Sequence, residues 1–153
     1  AGFSAQADSI SGLLCSSVQL RALASFITRS LHKLGVAWMQ DFAPDVAGGA
    51  FDDWARGIDA MAALPNVHLK LSGITAYCAP GTANEATLQP WVDHAINAFG
   101  ADRVLWGSDW PVVNLGVGMP DWITLTRTLL ARRTEGEQSD IVQGTARRVY
   151  RLG

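Results

Sequence analysis

The sequence predicts an α/β fold in which parallel strands alternate with helices. Short apolar runs that end at Gly or Pro indicate buried strands, and segments of about a dozen residues with helical spacing of apolar side chains lie between them. Helical crossovers of this kind place consecutive strands parallel. The chain has 153 residues, 48% hydrophobic and 17% charged, which is enough for a core, and we expect a single domain over 1–153.

The predicted order of elements is αβαβαβαα, and it begins with a helix over 17–34 and a strand over 36–40. A second helix begins at Asp52 and Asp53, because carboxylates favour the first turn of a helix. Pro65 ends this helix, since proline cannot continue one. The next strand follows directly.

That second strand covers 67–72, where Val67, Leu69 and Leu71 alternate with polar residues. The apolar set suits a face packed on helices, so the polar set would face the opposite side of the sheet. A third strand covers 103–107 and is closed by Gly-Ser-Asp and Trp-Pro. Three strands cannot close a barrel, and we expect an incomplete one.

Three more helices complete the prediction. Apolar residues spaced four apart indicate a helix over 91–99, and further helices are predicted over 121–132 and 139–150. We expect Ser139 to cap the last helix, because a serine hydroxyl accepts a hydrogen bond from the first turn.

Asp109 is the strongest candidate for a catalytic residue. It follows the third strand, and α/β enzymes place catalytic groups at the carboxyl ends of their strands. An aspartate buried at such a place is rare unless it is paired, metal-bound or catalytic. Gly107, which shares its parity along the strand, would leave room beneath it. The alternative is that Asp109 caps the following loop by accepting backbone N–H bonds.

Charge and composition limit the classes of binding partner and the cellular location that we expect. The net charge of −2 gives no reason to expect nucleic acid or an anionic membrane. No apolar run approaches the ~18 residues of a membrane span, and no basic residue precedes Arg21 to begin a secretory signal. Cys15 and Cys78 form no disulfide pattern and fit a reducing compartment, so we expect a cytoplasmic protein.

Three segments, in order, resemble motifs of the amidohydrolase-related family of sugar-acid lactonases, which includes L-fuconolactonase-like and pyrone-dicarboxylate-lactonase-like proteins. Segment 104–112, VLWGSDWPV, resembles the last-strand motif. Segment 66–73, NVHLKLSG, resembles the preceding strand, and segment 144–152, GTARRVYRL, resembles the closing helix, where the family commonly has Asn in place of Thr145. The resemblance covers about 36–152.

The resemblance implies the C-terminal portion of a TIM-type (β/α)8 barrel, which needs about 250 residues when complete. It also implies hydrolysis of the lactone of a sugar acid or a related small carboxylate, so the expected partner is a small molecule. Asp109 would be the base that activates water, or a metal ligand in metal-dependent relatives. The resemblance spans relatives with and without a metal, so metal dependence stays open; in the metal-dependent case the complete protein would hold a divalent metal such as zinc.

Lys70, Ser72 and Trp110 are candidates for substrate binding, because all three lie at or near the carboxyl ends of the predicted strands. Each also has a structural alternative. Lys70 could be an internal ion-pair partner, Ser72 could simply pack, and Trp110 could lie beneath the loop rather than wall the site. We expect none of the histidines to bind metal, since they do not converge on the site; they are His32, His68 and His94.

Two departures from the family motivate an alternative function. The family's first-strand His-x-His pair would lie before Ala1, and segment 39–44, MQDFAP, has no histidine where a later strand normally ends in Asp-His. The alternative is therefore a catalytically inactive fragment or half-barrel that serves as a structural or interaction module. Exposed strand edges would allow it to self-associate.

Overall fold

The structure is a computed structural model that describes residues 46–152. All of these residues lie in the second of two units into which the chain divides, Gly35–Gly153. The helix expected over 17–34 and the strand expected over 36–40 fall outside the described residues. Those two elements, and the single domain over 1–153, stay predictions.

Helices flank a pair of short parallel strands. In chain order the main elements are α1 (Phe51–Ala62), β1 (Leu69–Leu71), α2 (Glu85–Phe99), β2 (Val104–Trp106), α3 (Met119–Leu130), α4 (Glu135–Ser139) and α5 (Thr145–Tyr150). Leu69 lies opposite Val104 and Leu71 opposite Trp106, with both strands running the same way. The prediction of parallel strands joined by a crossover helix is confirmed for this pair.

The core forms where the helices cover the strands. Leu69, Leu71 and Val104 are buried, as are Val92 and Ile96 of α2. Burial of aliphatic side chains of this size contributes roughly 1.5–3 kcal/mol each relative to exposure. The alternating apolar positions of the second predicted strand are therefore the ones that pack inside.

Two turns of 3₁₀-helix lie where the sequence predicts only loop. One covers Ile74–Tyr77 after β1, and the other covers Val112–Leu115 after β2. The two turns pack together: a Cβ added at Gly116 would lie 2.8 Å from the carbonyl carbon of Thr75. This close backbone contact fixes the two loops that leave the carboxyl ends of the strands.

The capping residue of the C-terminal helix is Thr134, and the expectation that Ser139 caps it is wrong. Thr134 Oγ1 accepts a hydrogen bond from the backbone N–H of Glu137, and the Glu137 carboxylate accepts from the Thr134 N–H, which is a capping box. The hydrogen bonds that the Glu137 carboxylate accepts from the Thr134 backbone N–H and from Thr134 Oγ1 lower the pKa of Glu137 below its usual value. Ser139 lies at the end of α4, which continues through a π-helical turn, Asp140–Gly144, into α5.

Arg103 ties the two helices that precede the strands to each other. Its guanidinium donates to the backbone carbonyls of Phe99 at 2.9 Å, Leu64 at 3.0 Å and Ala62 at 3.0 Å. These carbonyls lie at or just beyond the ends of α1 and α2, where backbone oxygens lack helical partners. One side chain therefore satisfies several acceptors immediately before β2.

The helices of residues 46–152 are all too short or too polar to cross a lipid bilayer. The cytoplasmic location expected from the sequence stays a prediction.

Candidate active site

The carboxyl ends of β1 and β2 meet because the strands are parallel and paired. The ladder continues one step beyond the strands, where the Gly107 N–H donates to the Leu71 carbonyl at 3.0 Å. Ser72 and Gly73 follow β1 at this edge, and Asp109 follows β2. The structure thus brings three of the four candidate site residues, Lys70, Ser72 and Asp109, to this edge or next to it. The fourth, Trp110, directly follows Asp109 in sequence.

Lys70 crosses from β1 onto β2. A Cβ added at Gly107 would overlap Lys70 Cε and would lie 3.2 Å from Nζ. The aliphatic stem of the lysine therefore fills the space that Gly107 leaves empty. Lys70 is half-buried. The sequence predicts that Gly107 leaves space beneath Asp109. The space at Gly107 is present, but the Lys70 side chain of the neighbouring strand occupies it.

Asp109 is half-buried at the end of β2 rather than fully buried. Its backbone has φ +53°, in the left-handed region that aspartate tolerates better than most residues. This turn directs the carboxylate toward β1, where a Cβ added at Gly73 would lie 2.5 Å from Asp109 Oδ2. Gly73 was not among the residues predicted for the site, although a glycine directly after a strand is a signal for a close approach.

The carboxylate of Asp109 does not cap the loop that follows it. The Trp110 N–H donates to Ser108 Oγ at 3.3 Å, and the Val113 N–H donates to the backbone carbonyl of Asp109 at 3.0 Å. No hydrogen bond or ion pair within residues 46–152 involves the Asp109 carboxylate. This arrangement counts against the capping alternative and leaves both oxygens able to accept a proton or a ligand.

Trp110 projects outward beside Asp109. Its side chain is 71% exposed, and the peptide bond to Pro111 is cis. An indole exposed to this extent does not pack beneath the loop, which was the structural alternative. An exposed aromatic face next to a carboxylate suits the apolar face of a ring-shaped ligand.

A layer of tryptophans supports the end of β2 from the helix side. Trp122 Nε1 donates to the Gly107 carbonyl at 3.0 Å, and Trp106 Nε1 donates to Thr126 Oγ1 at 2.9 Å. The rings of Trp106 and Trp122 are stacked with centroids 6.4 Å apart. Helix α3 therefore holds the backbone from which Asp109 projects.

The described histidines lie elsewhere. His94 of α2 contacts the rings of Phe51 and Trp54, and its Nε2 lies 3.0 Å from Asp59 Oδ1. His68 is half-buried just before β1. His32 and Cys15 are outside the described residues. Burial raises the pKa of the Cys78 thiol, which disfavours the nucleophilic thiolate.

Residues 46–152 do not by themselves form a metal site. No group of three His, Cys, Asp or Glu side chains within this range is arranged to hold a metal ion. Zinc in hydrolases has three protein ligands, and Asp109 alone supplies one carboxylate at the strand edge.

Comparison with known proteins identifies the class of molecule. A family model described as amidohydrolase matches residues 41–152. The match covers most of the chain, so the chain belongs to this amidohydrolase family. The matched region begins five residues after the start of the predicted region, 36–152, and ends at the same residue.

Two curated relatives are similar to the chain over about two thirds of its length. The chain is 35% identical over 103 residues to L-fucono-1,5-lactonase of Burkholderia ambifaria, covering 67% of this chain and 35% of that protein. It is 34% identical over 104 residues to L-fucono-1,5-lactonase of Burkholderia multivorans, with 65% and 35% covered. The chain therefore spans about a third of the length of these lactonases.

Solved structures agree on the fold. An amidohydrolase of Burkholderia multivorans with bound Zn matches with a TM-score of 0.78 at 29% identity, covering 88% of this chain and 50% of that one. Amidohydrolase 2 of Bifidobacterium longum subsp. infantis matches with a TM-score of 0.56 at 23% identity and supports the fold alone. The predicted fold, a portion of a TIM-type barrel with parallel strands, is confirmed.

Proposed function

We propose that the protein hydrolyses the lactone ring of a sugar acid or a related small carboxylate, with Asp109 as the base that activates water. The observation that carries the proposal is the Asp109 carboxylate itself. It lies at the carboxyl end of a barrel strand, half-buried, with no hydrogen bond from residues 46–152. Membership of the amidohydrolase family and similarity to L-fucono-1,5-lactonases support this reaction.

The chemistry needs one proton transfer at the start. Asp109 takes a proton from a water molecule as the water oxygen attacks the ester carbonyl carbon, which forms a tetrahedral intermediate. The intermediate collapses by breaking the bond to the ring oxygen, and the protonated Asp109 returns its proton to that oxygen as it leaves. Lactone and water thus give one hydroxy acid. Groups elsewhere in the complete barrel would polarise the carbonyl.

Three neighbours of Asp109 would orient the substrate. The ammonium of Lys70, above Gly107, suits an oxyanion or a substrate carboxylate. The exposed Trp110 ring suits stacking against the apolar face of a sugar ring. Ser72, half-buried after β1, would supply a hydroxyl at the same edge. If the complete protein uses a divalent metal, Asp109 would be one of its ligands.

The test is turnover of L-fucono-1,5-lactone and other aldonolactones by the wild type and Asp109→Asn. Removing a catalytic base costs about 10²–10⁴-fold in rate, so we expect kcat to fall by at least about 10²-fold. Asp121→Asn is the matched control, because Asp121 is an exposed carboxylate in the first turn of α3 and lies outside the proposed site. Circular dichroism checks that both variants fold.

The assay is run on the 153-residue chain and on the longest reading frame that contains it. Retained activity in Asp109→Asn would remove Asp109 from the mechanism. No lactone turnover by either form of the wild type would instead favour the inactive structural or interaction module.

A further inference from the structure

The space beside Asp109 exists because the residue facing it on the neighbouring strand end is a glycine. Gly73 directly follows Ser72 at the end of β1 and is buried, with φ +72°. A Cβ built on it would lie 2.5 Å from Asp109 Oδ2 and 3.4 Å from Cγ. Carbon and oxygen atoms that are not bonded do not approach to 2.5 Å, so Cβ and the carboxylate cannot occupy their places together.

We propose that Gly73 is a positioning residue for Asp109, and that its missing side chain is what lets the carboxylate take its place in the site. The inference rests on the proposed function and deepens it, since it names a second determinant of the catalytic geometry. Gly73 touches no reacting atom in this proposal and acts only through Asp109.

The backbone around Asp109 is held, so a collision would be relieved at the side chain. The Asp109 carbonyl accepts from the Val113 N–H, and the Gly107 N–H donates to the Leu71 carbonyl, both at 3.0 Å. The Gly107 carbonyl also accepts from Trp122 Nε1 at 3.0 Å. With the chain tied on both sides, a Cβ at position 73 would turn the carboxylate away by about 0.5–1 Å to restore ordinary contact.

A displacement of this size is large for a catalytic base. Misplacing a reacting group by about 1 Å costs on the order of 10²-fold in rate, because the proton and its acceptor no longer align. Gly73→Ala should therefore lower kcat by about 10- to 100-fold. KM should change little, since the collision is with Asp109 and involves neither Lys70 nor Trp110.

The chain offers a matched control for the backbone effect of the substitution. Gly81 has φ +76°, nearly the same as Gly73, but a Cβ added there meets nothing within 4 Å. Gly81→Ala thus carries the same conformational cost of an alanine in the left-handed region without the collision. We expect it to lower Tm and to leave kcat at the wild-type value.

The experiment measures kcat, KM and Tm of both variants. A fall in kcat confined to Gly73→Ala supports the proposal. Equal kcat values in Gly73→Ala and the wild type would overturn it. Equal losses of kcat in the two alanine variants would also overturn it, because the effect would then come from backbone strain in general.

A second readout separates this proposal from the proposed function. The ¹³Cγ resonance of Asp109, assigned by its loss in Asp109→Asn, reports the surroundings of the carboxylate whether or not the protein turns over a lactone. It should shift in Gly73→Ala and stay in place in Gly81→Ala. An inactive wild type with this pattern would refute the lactonase while leaving Gly73 as the residue that places Asp109. An unchanged resonance in Gly73→Ala would refute the positioning role.

Discussion

Asp109 and Lys70 each lie against a glycine of the neighbouring strand. Lys70 leaves β1 and passes over Gly107, while Asp109 leaves the end of β2 and faces Gly73. A Cβ at either place would displace the side chain that lies there, and at position 73 the positive φ favours glycine as well. The site therefore depends on the side chains of Asp109 and Lys70, and on the lack of a side chain at Gly73 and Gly107.

This reciprocal arrangement explains which site residues the sequence could predict. Asp109 could be predicted because it follows an apolar run. Gly107 could be predicted because it lies two residues before Asp109 and so on the same face of the strand. The role of Gly73 depends on a distance between the ends of two strands separated by more than thirty residues of sequence. The glycine directly after β1 signals a close approach, but the local pattern does not identify Asp109 as the group that approaches.

Trp110 provides a test of substrate binding that does not disturb the base. The indole is 71% exposed, so its removal leaves no cavity in the core. Loss of an aromatic contact worth about 0.5–1.5 kcal/mol predicts that Trp110→Ala raises KM by about 2- to 12-fold with kcat nearly unchanged. Val142→Ala, which also shortens an exposed apolar side chain, serves as the control in the same steady-state assay. An unchanged KM in Trp110→Ala would exclude the ring from the binding site.

Arg103 shows how helix ends are joined to a strand. The residue directly precedes β2, and its guanidinium donates to carbonyls at the ends of both preceding helices. It also lies over the Phe99 ring, with Cζ 5.3 Å from the centroid. The planar guanidinium matches this spread of acceptors, whereas an ammonium would reach fewer of them.

Arg103→Ala should therefore destabilise the fold by about 2–4 kcal/mol, because several partly buried carbonyls lose a charged donor at once. Arg103→Lys should recover only part of the loss. Urea unfolding followed by circular dichroism measures both values. Arg127 is an exposed arginine near the end of α3, and Arg127→Ala should change the free energy of unfolding by less than about 0.5 kcal/mol. A comparable loss of unfolding free energy in Arg103→Ala and Arg127→Ala would refute the role of Arg103 in linking the ends of α1 and α2.

The sequence predicts some of the secondary-structure elements more accurately than others. Helices α1 and α3 lie where they were predicted, and α3 begins two residues early because Pro120 occupies its first turn. Helix α2 ends where predicted but begins six residues earlier, at Glu85, because the Asn84 side chain caps it. The 3₁₀ turns and the π-helical turn were not predicted, since each depends on hydrogen-bond spacing that produces no apolar period. The cap at Thr134 was missed although Thr-x-x-Glu is a capping-box pattern.

At the scale of the whole molecule, the described strands form part of a barrel, and their pairing is incomplete within residues 46–152. A closed barrel pairs every strand on both sides and so has no free edge. Within residues 46–152, β2 pairs with β1 on one side and with no strand on the other. The chain spans 35% of each curated lactonase and 50% of the solved amidohydrolase with bound Zn. Among residues 46–152, the side of β2 that faces away from β1 therefore has no strand partner.

An open edge predicts self-association, because unpaired backbone N–H and C=O groups bind a second strand. Light scattering of the 153-residue chain after size exclusion should give a mass that is a multiple of 16.4 kDa and that rises with concentration. Val142→Lys removes an exposed apolar side chain of the π-helical turn and leaves the strands intact. Association through strand edges should survive this change, whereas association through the apolar surface should weaken. A constant mass of 16.4 kDa at all concentrations would refute the prediction, since the edge of β2 would then have to be covered within the chain itself.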